Sequence, residues 1–566
     1  MARTISIGCQ SFEIIRTEGY FYIDKTMFIK EWWEGGDSVT LINRPRRFGK
    51  TLTMSMVEEF FSVSYEKSDK LFEGLAIWEY DKFRKLQGTY PVISLSFANV
   101  KERDYSSTIQ RINQIIVDLY HDYGFLRESD ALLPEEKEYF SRISDDMPEV
   151  TATMALHRLA KLLYKHYKKR VIILLDEYDT PMQEAYVNGY WEKLTSFTRS
   201  MFNSTFKTNP YLERAIMTGI TRVSRESIFS DLNNLKVVTT TSDEYADCFG
   251  FTEREVFAAL DEFEMADRRQ EVKRWYDGFT FGSQTDIYNP WSILNYLDTR
   301  RVGTYWANSS SNSLVGKLLR EGSADIKKKF EGLLCGGHLL TPLDEQIVYG
   351  ELDSNETAVW SLLLASGYLK VLRCEEYEDE AFSAKQPNYE LVLTNREVLL
   401  MFQNMVRAWF QKGSSYYNDF IKALLKNDLD AMNDYMNHVA LSTFSYFDTG
   451  ERPSRTEPER FYHGFVLGLM VELADRYVLT SNRESGFGRY DVMLEPRDLK
   501  DDAFILEFKV FQPRKEKELA DTVQAALRQI EEKNYAAMLI EKGAARERIR
   551  KYGFGFRGSE VLIEGG

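Results

Sequence analysis

The chain has 566 residues, a length that is typical of several domains rather than of one. Its composition is 43% hydrophobic and 28% charged, with 33 Gly and 13 Pro, which excludes a disordered, collagenous or low-complexity protein. The formal net charge of −15 argues against a protein that coats nucleic acid over its whole surface, although it leaves room for a local DNA site.

The amino-terminal segment contains Glu13 and Glu18 and lacks the apolar core of a secretory signal. No stretch approaches the roughly 18 apolar residues that a membrane span needs, so we expect no membrane association. The four cysteines lie far apart and form no CxxC pair, which indicates neither a disulfide framework nor a structural zinc site. These features predict a cytoplasmic protein.

From residue 38 to residue 218, short β-branched runs alternate with longer segments of helical periodicity. The apolar residues Leu156, Leu159 and Leu163 repeat with helical spacing and lead into the run VIILL. This alternation predicts an α/β fold with a parallel sheet covered by helices. The predicted strands are SVTLIN, PVISLSF, VIILLDE and RAIMTG.

A phosphate-binding loop is predicted between the first strand and the helix that begins at Lys50. In the segment NRPRRFGKT, Gly49 allows the backbone to turn so that its amides point at phosphate. We expect Lys50 to bind the β and γ phosphates and the Thr51 hydroxyl to bind Mg²⁺. Arg44 stands where the usual pattern has its first Gly, so the arginines of the loop could instead form a basic surface turn. The other residues that we expect to contact the nucleotide are Arg46, Arg47 and Phe48.

An acidic pair follows the buried run VIILL. Because ligands bind at the carboxyl ends of parallel strands, we expect Asp176 to hold Mg²⁺ and Glu177 to orient and deprotonate the attacking water. A strand can also end in acids without a function, but the upstream loop favours the functional interpretation. Thr218 is a candidate sensor of the γ-phosphate. Arg222 or Arg225 is a candidate to neutralise transition-state charge in cis or in a neighbouring subunit, although a solvent-exposed arginine fits equally well.

The middle of the chain, from about residue 253 to residue 411, shows few strand signals and many aromatic-rich helices. Residues 357–402 are predicted to form a helix, a strand, an acidic turn, a second strand and a helix, which is an order typical of a winged helix. The acidic run CEEYEDE would then lie in the wing, where a solvated hairpin tip explains it without any partner.

A second site is predicted near the carboxyl end, where GRYDVMLEP carries Asp491 and AFILEFKV carries Glu507 and Lys509. Residues two apart on a strand share a face, and a returning hairpin strand can bring Asp491 beside them. Two carboxylates can bind Mg²⁺, while the lysine positions or deprotonates a water. An acid-x-Lys pattern alone is common, but apolar neighbours make unpaired charge costly at these positions.

These motifs resemble the AAA-ATPase-like family of prokaryotic proteins that carry a PD-(D/E)XK nuclease-like domain at the carboxyl end. The resemblance rests on RPRRFGKTLT, LLDEYDTP, TGITRVSRESIFSDLNNL, WYDGF, YNPWSIL and the D-x15-E-x-K spacing, and it covers essentially the whole chain. It implies an α/β fold class in three parts: a P-loop NTPase parallel sheet at 1–240, a helical and winged-helix middle at 241–440, and a restriction-endonuclease-like domain at 441–566.

The resemblance also implies ligands and further site residues. ATP and Mg²⁺ are expected at the first site, and Mg²⁺ or Mn²⁺ at the second. Glu459 matches a helix-borne acid that completes the metal site, and Gln529 matches a polar residue on the helix after the catalytic strands, with Tyr535 closing the motif. An extra strand is expected between the P-loop strand and the acidic strand, and PVISLSF is a candidate for it. The segment Tyr22–Thr26 matches the family too and either covers the adenine or forms a structural turn.

We therefore expect an ATPase fused to a Mg²⁺-dependent DNA nuclease, in which the nucleotide state gates cleavage in mobile-element or foreign-DNA processing. Residues 441–566 carry 20 Lys and Arg against 22 Asp and Glu, a net charge of −2 that leaves this part free to hold DNA. The alternatives are a nucleotide-dependent switch whose terminal domain binds a partner or nucleic acid without cutting it, and an RNA nuclease. A homo-oligomer is compatible with either.

Overall fold

The structure is a computed structural model. It describes residues 3–221, 228–229, 232–307, 309, 313–334, 336–343, 352, 355–375, 387–410, 417–444, 473, 476–481, 484–485, 488–489, 491–513, 515–557 and 560–565. The chain forms two compact units, residues 1–318 with 339–398 and residues 319–338 with 399–566. The predicted boundaries at residues 240 and 440 stay a prediction. Among the described helices, none has both the length and the apolar character that a membrane span needs.

A five-stranded parallel sheet forms the centre of the first unit, with strand order β2-β3-β4-β1-β5. Its strands are β1 (Val39–Asn43), β2 (Val92–Ser96), β3 (Val171–Asp176), β4 (Leu212–Gly219) and β5 (Leu235–Val238). The predicted α/β class is confirmed. The candidate for the extra strand was wrong, because β4 lies between the P-loop strand β1 and the acidic strand β3, whereas PVISLSF forms the edge strand β2.

Helices cover this sheet, as the sequence pattern predicted. The helix expected before VIILL spans Glu149–Tyr167, and its Leu156, Leu159 and Leu163 are fully buried. All six residues of β3 are buried as well, because a central parallel strand is covered on both faces. The helices in this region are α1 (Phe12–Thr17), α2 (Met27–Gly35), α3 (Lys50–Phe61), α4 (Asp81–Arg84), α5 (Tyr105–Asp122), α6 (Pro134–Ser141), α7 (Glu149–Tyr167), α8 (Thr180–Asn188) and α9 (Trp191–Phe206).

Two small antiparallel sheets, β6-β8-β7 and β10-β11-β9, complete the first unit, and the sequence pattern predicted only β10 and β11. The order helix, strand, strand, helix is observed between residues 356 and 410, while the winged-helix assignment stays a prediction and most of the acidic run lies outside the described residues. The elements of the middle region are β6 (Phe251–Thr252), α10 (Glu253–Glu262), α11 (Arg269–Tyr276), β7 (Phe279–Phe281), β8 (Gln284–Tyr288), α12 (Pro290–Thr299), α13 (Ser313–Glu321), α14 (Ala324–Leu334), β9 (Leu339–Pro342), α15 (Glu356–Ala365), β10 (Leu369–Glu375), β11 (Asn388–Leu393) and α16 (Arg396–Phe410).

The second unit is built on a mixed sheet with strand order β12-β15-β16-β17-β18, in which only the β16 and β17 pair is parallel. Apolar side chains of β16 and β17, among them Phe504 and Phe554, form its core with residues of two helices before the sheet. Its elements are α17 (Tyr417–Lys426), α18 (Leu429–Phe444), β12 (Tyr477–Ser481), β13 (Glu484–Ser485), β14 (Gly488–Arg489), β15 (Val492–Pro496), β16 (Ala503–Val510), α19 (Leu519–Glu532), α20 (Ala536–Glu541), β17 (Ile549–Arg557) and β18 (Glu560–Gly565).

The edge strand β18 is protected by two asparagines of α18. The Asn433 side chain donates to the Ile563 carbonyl at 2.9 Å and accepts from the Ile563 amide at 2.8 Å. Asn437, one helical turn later, makes the same pair of bonds to Val561 at 2.7 and 2.9 Å. The two side chains thus replace a neighbouring strand on an edge that could otherwise pair with another molecule.

We expect the double variant Asn433→Ala and Asn437→Ala to lower the stability of the second unit and to promote self-association. Each truncation leaves one backbone donor and one acceptor unsatisfied, at a cost of about 1–3 kcal/mol. Calorimetry and light scattering measure the two effects, with exposed Asp434→Ala as the control on the same helix. A double variant that melts and elutes like the control would show that the asparagines contribute nothing to the edge.

Candidate nucleotide and nuclease sites

The loop from Arg44 to Gly49 joins β1 to α3 in the form of a phosphate cradle. Gly49 adopts a φ of 82°, in the left-handed region that favours glycine, and it immediately precedes the helix. The buried Lys50 Nζ donates to the carbonyls of Arg44 and Pro45, both at 2.9 Å. Burial lowers the pKa of Lys50, against the opposing charge of nearby carboxylates, so an anion in this loop would gain a poorly solvated cation as its partner.

Asp176 is the centre of the site at the end of β3. Its Oδ2 accepts from the Thr51 hydroxyl at 2.7 Å, and its Oδ1 accepts from the Thr218 hydroxyl. The side chain is buried, and burial raises the pKa of this carboxyl while the two hydroxyls oppose the rise. A hard divalent cation prefers oxygen ligands, so the carboxylate of Asp176 and the hydroxyl of Thr51 fit Mg²⁺.

Glu177 has a φ of 51°, which is rare for a residue with a side chain and is typical of functional sites. Two contacts hold this conformation. The Glu177 amide donates to the Thr218 hydroxyl at 3.2 Å, and its Oε2 accepts from the Thr180 hydroxyl at 3.0 Å. Thr218 therefore joins both acids, and the roles of Glu177 as base and of Thr218 as sensor stay predictions.

Arg44, which replaces the first glycine of the usual loop, is fully buried and does not fit the basic surface turn that the sequence left open. Its guanidinium donates to the carbonyls of Thr239 at 2.5 Å and Glu244 at 3.1 Å, and it lies 4.5 Å from the centre of the Phe281 ring. Burial lowers the pKa of Arg44 to about 10. This arginine connects the loop to the segment after β5, a role that a loop motif alone does not indicate.

We expect Arg44→Ala to destabilise the first unit by about 2–4 kcal/mol, because it leaves several buried carbonyls without a donor. Arg44→Lys should recover only part of this loss, since an ammonium cannot reach the same set of carbonyls. Calorimetric melting of the full chain measures the effect, with the exposed Arg142→Ala as control. A melting temperature within about 1 °C of that of the control would contradict the assigned role.

The other predicted loop residues differ in environment. Arg47 is exposed and lies 4.3 Å from the centre of the Trp291 ring, whereas Phe48 is buried against Phe279 at a ring distance of 4.8 Å. Arg46 is half-buried, and its carbonyl accepts from Trp306 Nε1 at 2.9 Å and from Asn289 Nδ2 at 3.3 Å. The predicted residues Arg222, Arg225 and Glu459 lie outside the described residues.

Segment Tyr22–Thr26 forms a bonded turn. The Asp24 carboxylate accepts from the Thr26 amide at 2.8 Å and from the Ala76 amide at 2.7 Å, and Lys25 pairs with Glu255 at 2.7 Å. These contacts support the structural alternative for this segment. The suggestion that it covers the adenine stays a prediction.

Glu397 holds Trp306, the residue whose indole donates to the Arg46 carbonyl in the P-loop. Its Oε1 accepts from the amides of Trp306 and Ala307 at 2.6 and 3.2 Å, and its Oε2 accepts from the Ser292 hydroxyl at 2.8 Å. Only 1% of the side chain is exposed, and burial raises the pKa of Glu397 to about 7, against these three donors. The YNPWSIL motif thus contributes to packing around the loop, a role that the motif alone does not indicate.

We expect the stability difference between wild type and Glu397→Gln to depend on pH. Because the folded-state pKa of about 7 is above the ordinary value of 4.5, the stabilisation is present at low pH and is lost as the pH rises through 7. Relative to Glu397→Gln, wild type should lose on the order of 3 kcal/mol between pH 5 and 8. Glu59 and Asp277 also have raised pKa values, but both groups are present in wild type and variant, so their contributions cancel in the stability difference. A pH-independent difference in denaturant unfolding would refute this role.

The second site lies on β15, β16 and α19. Val492 pairs with Leu506, which brings the preceding Asp491 to the level of Glu507, and Asp491 Oδ2 accepts from the Phe508 amide at 2.8 Å. Glu507 is 2% exposed, while Lys509 is half-buried on the same strand. The predicted hairpin arrangement of the two acids is therefore observed.

The Gln529 amide on α19 joins the predicted residues. Its Oε1 accepts from Lys509 Nζ at 2.7 Å, and its Nε2 donates to Glu507 Oε1 and to the Tyr535 hydroxyl, the latter at 3.4 Å. Burial raises the pKa of Tyr535, and the charges of Glu507 and Asp491 raise it further, so both carboxylates act on this phenol. The oxygen donors of Asp491 and Glu507, in a site closed on one side by apolar packing, fit Mg²⁺ or Mn²⁺.

Two glycines of β17 let α19 approach the sheet closely enough for this contact. Gly553 pairs with Glu507 and Gly555 pairs with Lys509 across the parallel ladder. A Cβ atom on Gly553 would lie 2.8 Å from the Val523 carbonyl, and one on Gly555 would lie 2.9 Å from the Val523 side chain. The sequence KYGFGFR carried this signal, because a Gly-x-Gly pair inside an apolar strand indicates close backbone approach.

Two parts of the chain match known protein families. Residues 6–229 match the family described as "Predicted AAA-ATPase", and residues 457–565 match the "PD-(D/E)XK nuclease superfamily". The protein in the vnfD 5' region of Azotobacter chroococcum mcd 1 is 24% identical over 559 residues, 96% of this chain and 94% of that protein. The Aeropyrum pernix ORC2 protein, in ADPNP and ADP complexes, aligns with 67% of this chain and 92% of its own at 11% identity and a TM-score of 0.24.

The family matches coincide with the residues that the structure brings together. The first covers the P-loop, Asp176 and Glu177, and the second covers Asp491, Glu507 and Lys509. The resemblance seen in the motifs is thereby confirmed. The chain therefore carries a predicted AAA-ATPase domain at residues 6–229 and a PD-(D/E)XK nuclease superfamily domain at residues 457–565.

Proposed function

We propose that this protein is a Mg²⁺-dependent ATPase whose nucleotide state gates a Mg²⁺-dependent DNA nuclease. The observation that carries the proposal is the Gln529 amide, which holds Lys509 and Glu507 together beside Asp491. A protein that had lost phosphodiester chemistry would not need a buried carboxylate, a lysine and a bridging amide in one place.

In the first site, Lys50 would bind the β and γ phosphates, and Thr51 with Asp176 would hold the metal ion. Glu177 would take a proton from the attacking water, whose oxygen bonds to the γ-phosphorus as the bond to the β–γ bridging oxygen breaks and ADP leaves with the electron pair. In each site the divalent ion supplies positive charge that stabilises the developing negative charge on phosphate oxygens.

In the second site, Asp491 and Glu507 would hold the metal ion and Lys509 would position or deprotonate the attacking water. Gln529 fixes the ammonium of Lys509 by its bond at 2.7 Å, so the nucleophile would be oriented before the substrate binds. The carboxylates of this site lie in residues 441–566, whose net charge is only −2. The rest of the chain is strongly acidic, so the last part repels a polyanion such as DNA less than the rest does.

The experiment that tests the proposal mixes purified protein with linear, circular and single-stranded DNA and with RNA, in Mg²⁺ or Mn²⁺, with and without ATP. We expect metal-dependent cleavage of DNA that ATP changes by at least about tenfold. Cleavage of RNA but not of DNA would identify RNA as the substrate in place of DNA. Tight ATP binding without any cleavage would favour the non-cutting switch. A role against foreign DNA or in mobile elements would suit an ATP-licensed nuclease.

A further inference from the structure

The side chain of Arg46 connects the P-loop to the loop that follows the acidic strand. Its Nη2 donates to Gln183 Oε1 at 3.3 Å, and Gln183 Nε2 donates to Asp179 Oδ2 at 3.1 Å. Gln183 lies in the first turn of α8, a helix that begins three residues after Glu177. The guanidinium therefore lies beside the start of α8, the helix that follows the predicted base Glu177.

A cleft surrounds this guanidinium, and three elements at the carboxyl edge of the sheet contribute to it. The P-loop supplies Arg46, α8 supplies Gln183, and the segment that follows β4 supplies Ile220 and Thr221. The rings of Trp306 and Tyr368 also line the cleft, with their centres 5.6 Å apart. An aromatic wall reduces the water around the guanidinium, which strengthens its interaction with any anion that enters.

The Arg46 guanidinium reaches the Asp179 carboxylate only through the Gln183 amide. Within the described part of the chain, no carboxylate lies within salt-bridge distance of the Arg46 guanidinium. Arg46 is also close enough to Lys50 that its charge adds to the lowering of the pKa of that lysine. Two cations this close together favour an anion that contacts both.

The backbone of Arg46 is fixed independently of its side chain. Trp306 Nε1 and Asn289 Nδ2 both donate to the Arg46 carbonyl, and Asn289 Oδ1 caps α12 by accepting from the Trp291 and Ser292 amides at 2.9 and 3.2 Å. Asn289 is fully buried and Trp306 is 4% exposed, so this carbonyl is held from inside the protein. Such support is what a residue needs if it is to meet a phosphate without rearrangement.

We propose that Arg46 binds the γ-phosphate of ATP and stabilises its charge in the transition state, so that the chain distinguishes ATP from ADP by its own arginine. Gln183, Asn289 and Trp306 are positioning residues for it. This inference rests on the proposed ATPase function and names the residue that recognises the group which ATP has and ADP lacks. It differs from the expectation for Arg222 and Arg225, which follow β4.

The test is calorimetric titration of the full chain with Mg²⁺ and either ADP or an ATP analogue with an imido β–γ bridge. We expect Arg46→Ala to weaken binding of the ATP analogue at least about tenfold and binding of ADP less than about twofold, with Arg46→Lys between wild type and Ala. The kcat for ATP should fall by about 10²–10³-fold. Equal weakening of both nucleotides, or an altered ratio in Arg222→Ala but not in Arg46→Ala, would overturn the proposal.

The positioning role has its own readout. Trp306→Phe keeps an aromatic ring but removes the donor to the Arg46 carbonyl, so it should lower the ratio of ATP-analogue to ADP affinity by about threefold to tenfold. In an Arg46→Ala background the same change should have no further effect on that ratio. The matched control Trp78→Phe, at a partly buried tryptophan that stacks on Phe72, should leave the ratio unchanged. Independent effects of Trp306→Phe and Arg46→Ala would refute the positioning role.

Failure of this inference and failure of the proposed function give different results. The ATPase proposal fails if wild type binds neither nucleotide, or if Lys50→Ala binds both nucleotides as tightly as wild type does. If wild type binds and hydrolyses ATP, loses both nucleotides with Lys50→Ala, and keeps its preference for ATP with Arg46→Ala, only the assignment of Arg46 fails.

Discussion

We expect Lys509→Ala and Asp491→Asn each to lower the proposed DNA cleavage by at least about 10³-fold in rate. Asp491→Asn removes one negative charge from the metal site at almost constant volume, and Lys509→Ala removes the cation that Gln529 holds at 2.7 Å. The residues act as one unit, so the double variant should be no slower than the slower single variant. Cleavage of a labelled DNA fragment in Mg²⁺, followed over time, measures the loss.

The matched control is Lys542→Ala in the same unit. Lys542 pairs with Glu495 at the surface, so its removal changes the net charge as Lys509→Ala does without touching the site. Control and variants should have the same melting temperature, because Lys509 is only half-buried and Asn replaces Asp without a cavity. Cleavage that persists in both Asp491→Asn and Lys509→Ala would remove the nuclease assignment.

We expect Lys50→Ala to abolish ATP binding, and Glu177→Gln to preserve binding while it slows hydrolysis by at least about 10²-fold. Lys50 supplies the buried cation of the loop, so a nucleotide would lose its main electrostatic contact. Gln at position 177 retains an acceptor for the Thr180 hydroxyl but cannot take a proton from water. Calorimetric binding and phosphate release measure the two effects separately.

The metal ligand is tested by a separate variant. Thr51→Val nearly keeps the volume of the side chain but removes the hydroxyl that donates to Asp176, so we expect weaker Mg²⁺ binding with nucleotide binding partly retained. Normal turnover by both Lys50→Ala and Glu177→Gln would show that the predicted site does not hydrolyse ATP.

The sequence pattern predicted the parallel sheet well where apolar runs were long. β3 matches its predicted strand closely, and α7 contains the predicted helical repeat, because a strand covered on both faces and a helix with one buried face leave clear patterns. Strands β6 and β7 have only two or three residues, too few for a period to be visible. The order of strands was not encoded in the alternation either, which is why PVISLSF was wrongly expected between β1 and β3.

The site residues were predictable to the extent that motifs carry chemistry. Asp491, Glu507, Lys509 and Gln529 were expected from spacing and resemblance, and the structure brings them together. The role of Arg44 was not predictable, because its partners Thr239 and Glu244 are about 200 residues away in the chain. Contacts of this kind depend on tertiary packing, which no local pattern records.

In the function that we propose, nucleotide binding in the first part of the chain controls cleavage in the last. The most direct measurement is the rate of DNA cleavage in Mg²⁺ by wild type, Lys50→Ala and Glu177→Gln, each with and without ATP. We predict that ATP changes the wild-type cleavage rate by at least about tenfold and does not change that of Lys50→Ala. Once ATP is added, Glu177→Gln should keep the cleavage rate of the ATP-bound protein, because it does not hydrolyse the nucleotide. Equal cleavage by all three proteins, with no effect of ATP, would contradict the control of cleavage by the nucleotide.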